Sequence, residues 1–144
     1  MRKIRKNVFE TNSSSVHSIV FSTEGIEPCN IPLDADGKMH IPYGEFGKEE
    51  ASYTDQLTKL SYLVSLCWYC ADYDIEDEIN FIKLEEYIMD YVPGCTGIVP
   101  QGDTPDIDHQ SAPWGSIEII DMWDKEAVLN YIFNPKVELR TGSD

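Results

Sequence analysis

Residues 7–21, NVFETNSSSVHSIVF, decide how the first part of the fold is built. The second half, 16–21, alternates around β-branched residues, which predicts a strand. The first half is rich in Ser, Asn and Thr, whose side chains hydrogen-bond to nearby backbone and favour turns. We therefore expect a polar turn that places His17 on the first strand, on the same face as Ile19 and Phe21. Because that face should be buried, the imidazole of His17 needs a partner.

Length and composition bound the class of the protein. The 144 residues are enough for a hydrophobic core, so we expect a single domain over residues 1–144. A hydrophobic content of 42% and an aromatic content of 11% argue against disorder. No apolar run approaches the ~20 residues of a membrane helix. Since no apolar segment follows the basic start MRKIRK, we expect no signal peptide and a cytoplasmic protein.

The charge of the chain is strongly negative. It has 26 acids against 11 bases, a net charge of −15, and four of the bases lie in the first six residues. Residues 72–90 carry eight acids against Lys83 alone. This run is either a solvated helix face or a contact surface for a basic partner. Such a body is repelled by nucleic acid and by anionic membranes and attracted to basic surfaces, so we expect no direct nucleic-acid binding.

Hydrophobic periodicity outlines the secondary structure. Beyond the first strand, short strands are predicted at Lys38–Pro42, 116–121 and 137–140. Helices are predicted at 54–71, Ile75–Tyr91 and 124–133. Glycine- and proline-rich segments predict a turn at 43–47 and loops at 24–37 and 97–112. Together these patterns predict an α+β fold, with a mainly antiparallel sheet covered by about three helices.

The cysteines are expected to be thiols or metal ligands rather than disulfides, because the protein looks intracellular. They are Cys29, Cys67, Cys70 and Cys95. The pair Cys67 and Cys70 lies inside a predicted helix, with Cys67 on the apolar stripe that also holds Leu60. We favour core packing for this pair, and metal ligation is the alternative.

A second group of residues combines the donors of a metal site. Its members are His17, Glu45, Cys95 and His109, each predicted in a turn or at a strand end. Mixed nitrogen, sulfur and oxygen donors suit tetrahedral Zn²⁺. Asp108, or a serine of the 13–15 run, would hold the far ring nitrogen of a ligating histidine. The alternative for each histidine is an ordinary core or surface residue, and we assign His40 to that class.

No motif marks a catalytic centre. The serines at 13–15 lie near His17, but the chain has no G-x-S-x-G elbow and no marker of an oxyanion hole. It also has no glycine-rich phosphate loop. We therefore expect no catalytic residues. The alternative is a metal-dependent enzyme, in which the His17, Glu45, Cys95 and His109 site leaves one position on the ion open.

Three blocks of sequence resemble a family of small phage and prophage proteins. They are residues 5–18 (RKNVFETNSSSVHS), 41–47 (IPYGEFG) and 107–111 (IDHQS). The resemblance implies a site shared by His17, Glu45 and His109, which lie within these blocks, and leaves Cys67 and Cys70 outside it. A small acidic member of this kind is similar to anti-CRISPR proteins, in particular to inhibitors of type II RNA-guided DNA nucleases.

The resemblance implies a function in the cytoplasm of a bacterial host. The protein would be an inhibitor with a structural zinc, whose acidic surface occupies the basic nucleic-acid channel of a CRISPR effector nuclease. It would block target DNA loading by charge and bulk, without chemistry. The alternatives are the metal-dependent enzyme and a phage structural or assembly accessory that holds no metal.

Overall fold

The structure is a computed structural model that describes residues 18–20, 25–46, 50–69, 75–102, 106–107 and 120–141. The strands in these ranges are β1 (Ser18–Val20), β2 (Lys38–Pro42), β3 (Glu45–Phe46), β4 (Ala51–Tyr53), β5 (Gly97–Gln101), β6 (Asp106–Ile107) and β7 (Glu138–Thr141). The helices are α1 (Gln56–Tyr69), α2 (Ile75–Tyr91) and α3 (Lys125–Phe133).

The described strands form three small sheets. The largest is antiparallel, with β7 between β1 and β4. The other two are parallel pairs, β2 with β5 and β3 with β6. The predicted α+β class with three helices is therefore confirmed, and the antiparallel arrangement holds for the largest sheet alone. The predicted first strand is β1, and its central residue Ile19 is buried as expected.

Helices α1 and α3 begin at acidic caps. The Asp55 carboxylate accepts a hydrogen bond from the Thr58 amide at 2.9 Å, so Asp55 rather than the predicted Thr54 caps α1. Asp124 caps α3 in the same way, through the Ala127 amide at 3.1 Å. Helix α2 has the predicted bounds and packs on α1. Among the described helices, none is both long enough and apolar enough to cross a membrane.

The joint between α1 and α3 contains a fully buried lysine. The ammonium of Lys59 donates to the carbonyls of Asn134 at 2.8 Å and Val137 at 2.9 Å, just beyond the end of α3. In return, the Tyr131 hydroxyl donates to the Lys59 carbonyl at 2.7 Å. The last turn of α3 has no base of its own, so Lys59 supplies the positive charge that a helix C-terminus favours. Burial lowers the pKa of Lys59 to about 8, and the Asp55 carboxylate opposes that shift.

Four described strands differ from the predicted secondary structure. Strands β5 and β6 lie within the segment predicted as a loop at 97–112, β3 lies within the turn predicted at 43–47, and β4 was not predicted at all. Strand β5 runs parallel to β2, and the Ile98 amide at its start also donates to the Glu85 carboxylate at 2.9 Å. Both partners lie outside the segment, β2 about sixty residues earlier and Glu85 on the preceding helix, and they outweigh the local turn preference of Gly97 and Pro100. The predicted strand at 116–121 lies outside the described residues, except for Ile120 and Asp121, which form no strand.

Candidate functional site

The described residues do not assemble the predicted zinc site. Cys95 is 8% exposed, and its thiol donates to the Gly97 carbonyl at 3.6 Å. Glu45 is exposed on β3. Within the described ranges, no three His, Cys, Asp or Glu side chains lie close enough together to hold a metal ion. For this part of the chain, the prediction of a zinc-binding protein is therefore wrong.

The remaining predicted ligands lie outside the described residues. These are His17, His109 and Cys70, together with Asp108 and the serines at 13–15. Their roles stay predictions. Cys67 is described and is 1% exposed within the hydrophobic core, in agreement with the core packing predicted for it.

Two of the three sequence blocks meet in the fold. Phe46 of the 41–47 block lies opposite Ile107 of the 107–111 block where β3 pairs with β6. Phe46 is 4% exposed, and its ring meets that of Tyr62 edge-on, with centroids 5.0 Å apart. A Cβ on Gly44 would lie 2.5 Å from the Phe46 ring, so only glycine fits there. Packing therefore explains much of the IPYGEFG block without a ligand.

His40 has the ordinary surface role predicted for it. Its Nε2 lies 2.6 Å from a carboxylate oxygen of Asp34, and both side chains are partly exposed. The other Asp34 oxygen accepts the amides of Asp36 and Lys38, at 2.8 and 2.9 Å. The hydrogen bond from His40, followed by those backbone bonds, lowers the pKa of Asp34 to about 2. This network fixes the turn that leads into β2.

The outer side of α2 exposes apolar side chains. Ile79, Ile82 and Met89 are 42%, 52% and 40% exposed. Their spacing places them along one side of the helix, while Leu84 and Ile88 on the other side are fully buried. Single exposed apolar residues are common on proteins, but a stripe of them on a helix that already buries its other side is not. Such a stripe is typical of an interaction surface.

The turn before α3 extends this apolar surface with an aromatic side chain. The Asp121 carboxylate accepts the Trp123 amide at 2.9 Å, and the Asp121 carbonyl accepts the Asp124 amide at 3.1 Å. The indole of Trp123 is 66% exposed. The Lys83 ammonium lies 4.3 Å from the ring centroid, within the range of a cation–π interaction. The turn therefore holds a large aromatic ring in water beside α2.

One flank of α2 positions this turn. In addition to the contact of Lys83 with Trp123, the Tyr87 hydroxyl donates to the Met122 carbonyl at 3.0 Å, and Asp90 forms an ion pair with Lys125. Lys83, Tyr87 and Asp90 are spaced by four and three residues, so they share a flank of the helix. The indole thus lies next to the side of α2 that carries the exposed isoleucines.

Carboxylates surround these apolar groups. Burial raises the pKa of Tyr87, and the nearby carboxylates of Asp121, Asp124 and Glu86 raise it further, while Lys125 opposes them. Glu86 also lies within the apolar stripe, between Ile82 and Met89. We call this surface the α2–α3 face and define it by its apolar residues Ile79, Ile82, Met89 and Trp123 and its acids Glu86, Asp90, Asp121 and Asp124.

Most described bases are engaged within the chain. Lys59 is buried, and Lys83 lies over the Trp123 ring. Lys125 and Arg140 form ion pairs with Asp90 and Glu138. In contrast, most described carboxylates are exposed, including those of Glu27, Asp36, Glu50 and Glu126. Because most described acids are exposed and one of the few described bases, Lys59, is buried, the surface in the described ranges is strongly anionic.

No protein-family model, curated protein or solved structure matches the chain. The resemblance of the three blocks to phage and prophage proteins stays a prediction. The sequence did indicate Glu86 and Asp90 of the α2–α3 face, as part of the 72–90 run, but it gave no such role to Asp121 and Asp124. The apolar residues of α2 on this face were missed, although the sequence contains their pattern. Apolar residues 79, 82 and 89 recur at three- and seven-residue spacing, offset from the buried stripe of α2.

Proposed function

We propose that the protein is a binding protein without catalytic residues, which occupies a basic nucleic-acid-binding surface of a partner protein. The strongest support for this proposal is the distribution of the charged side chains between the surface and the interior of the protein. Most described carboxylates are exposed, while most described bases are buried or engaged within the chain. A surface of this kind attracts basic proteins and repels nucleic acids and anionic membranes.

The partner that we propose is a type II CRISPR effector nuclease in the cytoplasm of a bacterial host. Such a nuclease holds its guide–target heteroduplex in a positively charged channel. An anionic protein in this channel would exclude target DNA by charge and by bulk. The attraction would speed association and weaken as salt screens it, over a Debye length of about 10 Å at 0.1 M ionic strength. The proposal involves no metal ion.

The experiment is a DNA-binding and cleavage assay with a guide-loaded type II nuclease and increasing amounts of the protein. We expect loss of DNA loading and cleavage at about 0.05 M salt, and weaker inhibition at about 0.3 M. Normal loading and cleavage at the lower salt concentration, with the protein in excess, would contradict the proposal.

Charge variants sharpen this assay. A triple substitution of exposed acids to glutamine, at Glu27, Glu50 and Glu126, removes three negative charges without touching a helix cap or an ion pair in the described contacts. We expect it to slow association several-fold at the lower salt concentration. The control is Lys136→Gln, which removes a positive charge at an exposed position, makes the net charge more negative by one and should leave association as fast or make it faster.

A further inference from the structure

We infer that the α2–α3 face docks a basic amphipathic helix of a partner protein. The apolar side chains of that helix would lie on Ile79, Ile82, Met89 and Trp123, and its lysines and arginines would face the surrounding carboxylates. The inference rests on the proposed function in one respect, since both expect a basic partner. It adds which surface makes the contact and what kind of segment is bound.

The apolar part of the face has the dimensions of a helix-binding site. Ile79 and Met89 are ten residues apart, which corresponds to about 15 Å along α2, or about three helical turns. A helix that packs along this stripe presents its own apolar side chains at three-, four- and seven-residue spacing, which matches positions 79, 82 and 89. Trp123 borders the stripe, and a large, rigid aromatic side chain of this kind often anchors an interface.

Charge complementarity selects a basic occupant. Glu86 lies inside the stripe, and Asp90, Asp121 and Asp124 lie along the flank that carries Trp123. The two bases next to these acids, Lys83 and Lys125, already contact Trp123 and Asp90. A neutral segment that covered the face would therefore bury carboxylates without new partners, which is costly.

The same charges disfavour a second copy of this chain as the occupant. A symmetric dimer through the α2–α3 face would bring Glu86 and its neighbouring acids toward the same acids of the second copy. Like charges placed together across an interface cost several kcal/mol in general. A lysine- and arginine-bearing helix instead converts each of these contacts into an attraction.

The test uses the full chain and two synthetic peptides of about 14 leucines and lysines. In one peptide the leucines form a single helical stripe, and the other is a scrambled sequence of the same composition. Binding is measured by calorimetry at about 0.15 M salt, where charge alone contributes less. We expect the amphipathic peptide to bind at least about tenfold more tightly than the scrambled one, with a change in Trp123 fluorescence that Trp123→Phe removes.

Variants locate the binding site. The double substitution Ile82→Gln and Met89→Gln should weaken binding of the amphipathic peptide at least about tenfold. The control is Leu57→Gln on α1, because Leu57 is 40% exposed, as Met89 is, but lies outside the α2–α3 face. The Leu57→Gln variant should bind the amphipathic peptide as tightly as the wild type does. Glu86→Lys gives a second test that does not depend on the folding of the double variant. It should lower the affinity for the amphipathic peptide several-fold.

Several results would overturn the inference. Equal affinity for the two peptides would mean that charge alone drives binding, and unchanged binding by the double variant and by Glu86→Lys would place the site elsewhere. Sedimentation that shows a wild-type dimer and a monomeric double variant would make the face a self-interface. If the peptide binds only after residues 1–6 are removed, the basic start of the chain is the occupant instead.

The nuclease assay separates this inference from the proposed function. If the wild type binds the amphipathic peptide through the α2–α3 face but leaves nuclease cleavage unchanged, the proposed function fails and the docking surface stands. If the wild type and the double variant inhibit the nuclease equally and neither prefers the amphipathic peptide, the docking surface fails and the proposed function stands.

Discussion

Two regions of the molecule break the usual rule that charged side chains face water and large apolar side chains are buried. One region buries a charged group, and the other exposes apolar groups. At the joint of α1 and α3, Lys59 carries its ammonium fully inside the core. On the α2–α3 face, Ile82 and Trp123 hold more than half of their surface in water. The buried ammonium has partners inside the chain, the carbonyls of Asn134 and Val137. Comparison of the two regions suggests that an unusual residue with complete contacts serves the fold, whereas one with incomplete contacts indicates a partner.

The largest expected effect comes from comparing two isoleucine-to-alanine substitutions, one on each side of α2. Ile88→Ala should lower the free energy of unfolding by about 2–5 kcal/mol, because Ile88 is fully buried and its loss leaves a cavity. Ile82→Ala, on the exposed side, should change it by no more than about 0.5 kcal/mol. Denaturant unfolding followed by circular dichroism measures both. A large loss of stability for Ile82→Ala would mean that Ile82 serves the fold and would remove the contrast between the two sides.

The next effect tests the buried lysine. Lys59→Met should lower the free energy of unfolding by about 1–3 kcal/mol, because the Val137 carbonyl loses the Lys59 ammonium as its donor. The Asn134 carbonyl loses the same donor but still accepts the Val137 amide at 2.9 Å. Lys136→Met is the matched control, since its side chain is exposed near the same end of α3. Chemical denaturation of both variants gives the comparison. If Lys59→Met is as stable as the wild type, the interior contacts of Lys59 contribute nothing net.

The pH dependence of stability offers a second view of Lys59. Its pKa in the folded state is about 8, below the ordinary value of 10.5. Between these values the unfolded chain retains a proton that the folded protein has released, so rising pH favours the folded state. Relative to Lys59→Met, the wild type should therefore gain stability from about pH 8 to 10, by at most about 1.4 kcal/mol per pH unit. Unfolding measured at half-unit steps would show this, and parallel curves for the two proteins would contradict it.

The sequence predicted an element of the fold where the residues that determine it are close together in the chain, and it failed where they are far apart. Helix α2 was predicted with its observed bounds because its apolar period lies within it and the Pro93–Gly94 stop follows it closely. Strand β5 was missed because its partner β2 lies some sixty residues earlier, and glycine and proline gave the opposite local signal. The buried position of Lys59 was equally hidden, since its two carbonyl partners lie 75 and 78 residues away.

The candidate site shows the same division. The acids of α2 were visible as a run in the sequence, and so was their use as a possible contact surface. Trp123 was not recognised, because its exposure depends on the Asp121 turn and on its contact with Lys83 forty residues earlier. The zinc prediction grouped Glu45 and Cys95 by donor type and by their predicted places in turns or at strand ends, and neither property determines which side chains converge. Cys95 turned inward to the Gly97 carbonyl, while Glu45 stayed on the surface.

A smaller effect concerns Asp124, the cap of α3 that directly follows Trp123. Asp124→Ala should lower the free energy of unfolding by about 1 kcal/mol, because the Ala127 amide at the start of α3 loses its acceptor. Glu126→Ala, in the same helical turn and with an exposed side chain, should cost less. Thermal unfolding of both variants provides the measurement. Equal losses would mean that general charge near the helix N-terminus, rather than the cap hydrogen bond, stabilises this end of α3.

The smallest expected effect lies at the Asp34–His40 pair, a surface contact whose partners all belong to the chain. Because the folded-state pKa of Asp34 is about 2, below the ordinary 3.8, its contribution to stability is complete above about pH 4 and is lost as the pH falls toward 2. His40→Ala should raise this pKa only part of the way to 3.8, since the amides of Asp36 and Lys38 still donate to the carboxylate. A carboxyl titration followed by NMR tests this in both proteins. An unchanged Asp34 pKa in the variant would show that the two amides alone lower it, and His40 would then be free to face a partner, as the residues of the α2–α3 face do.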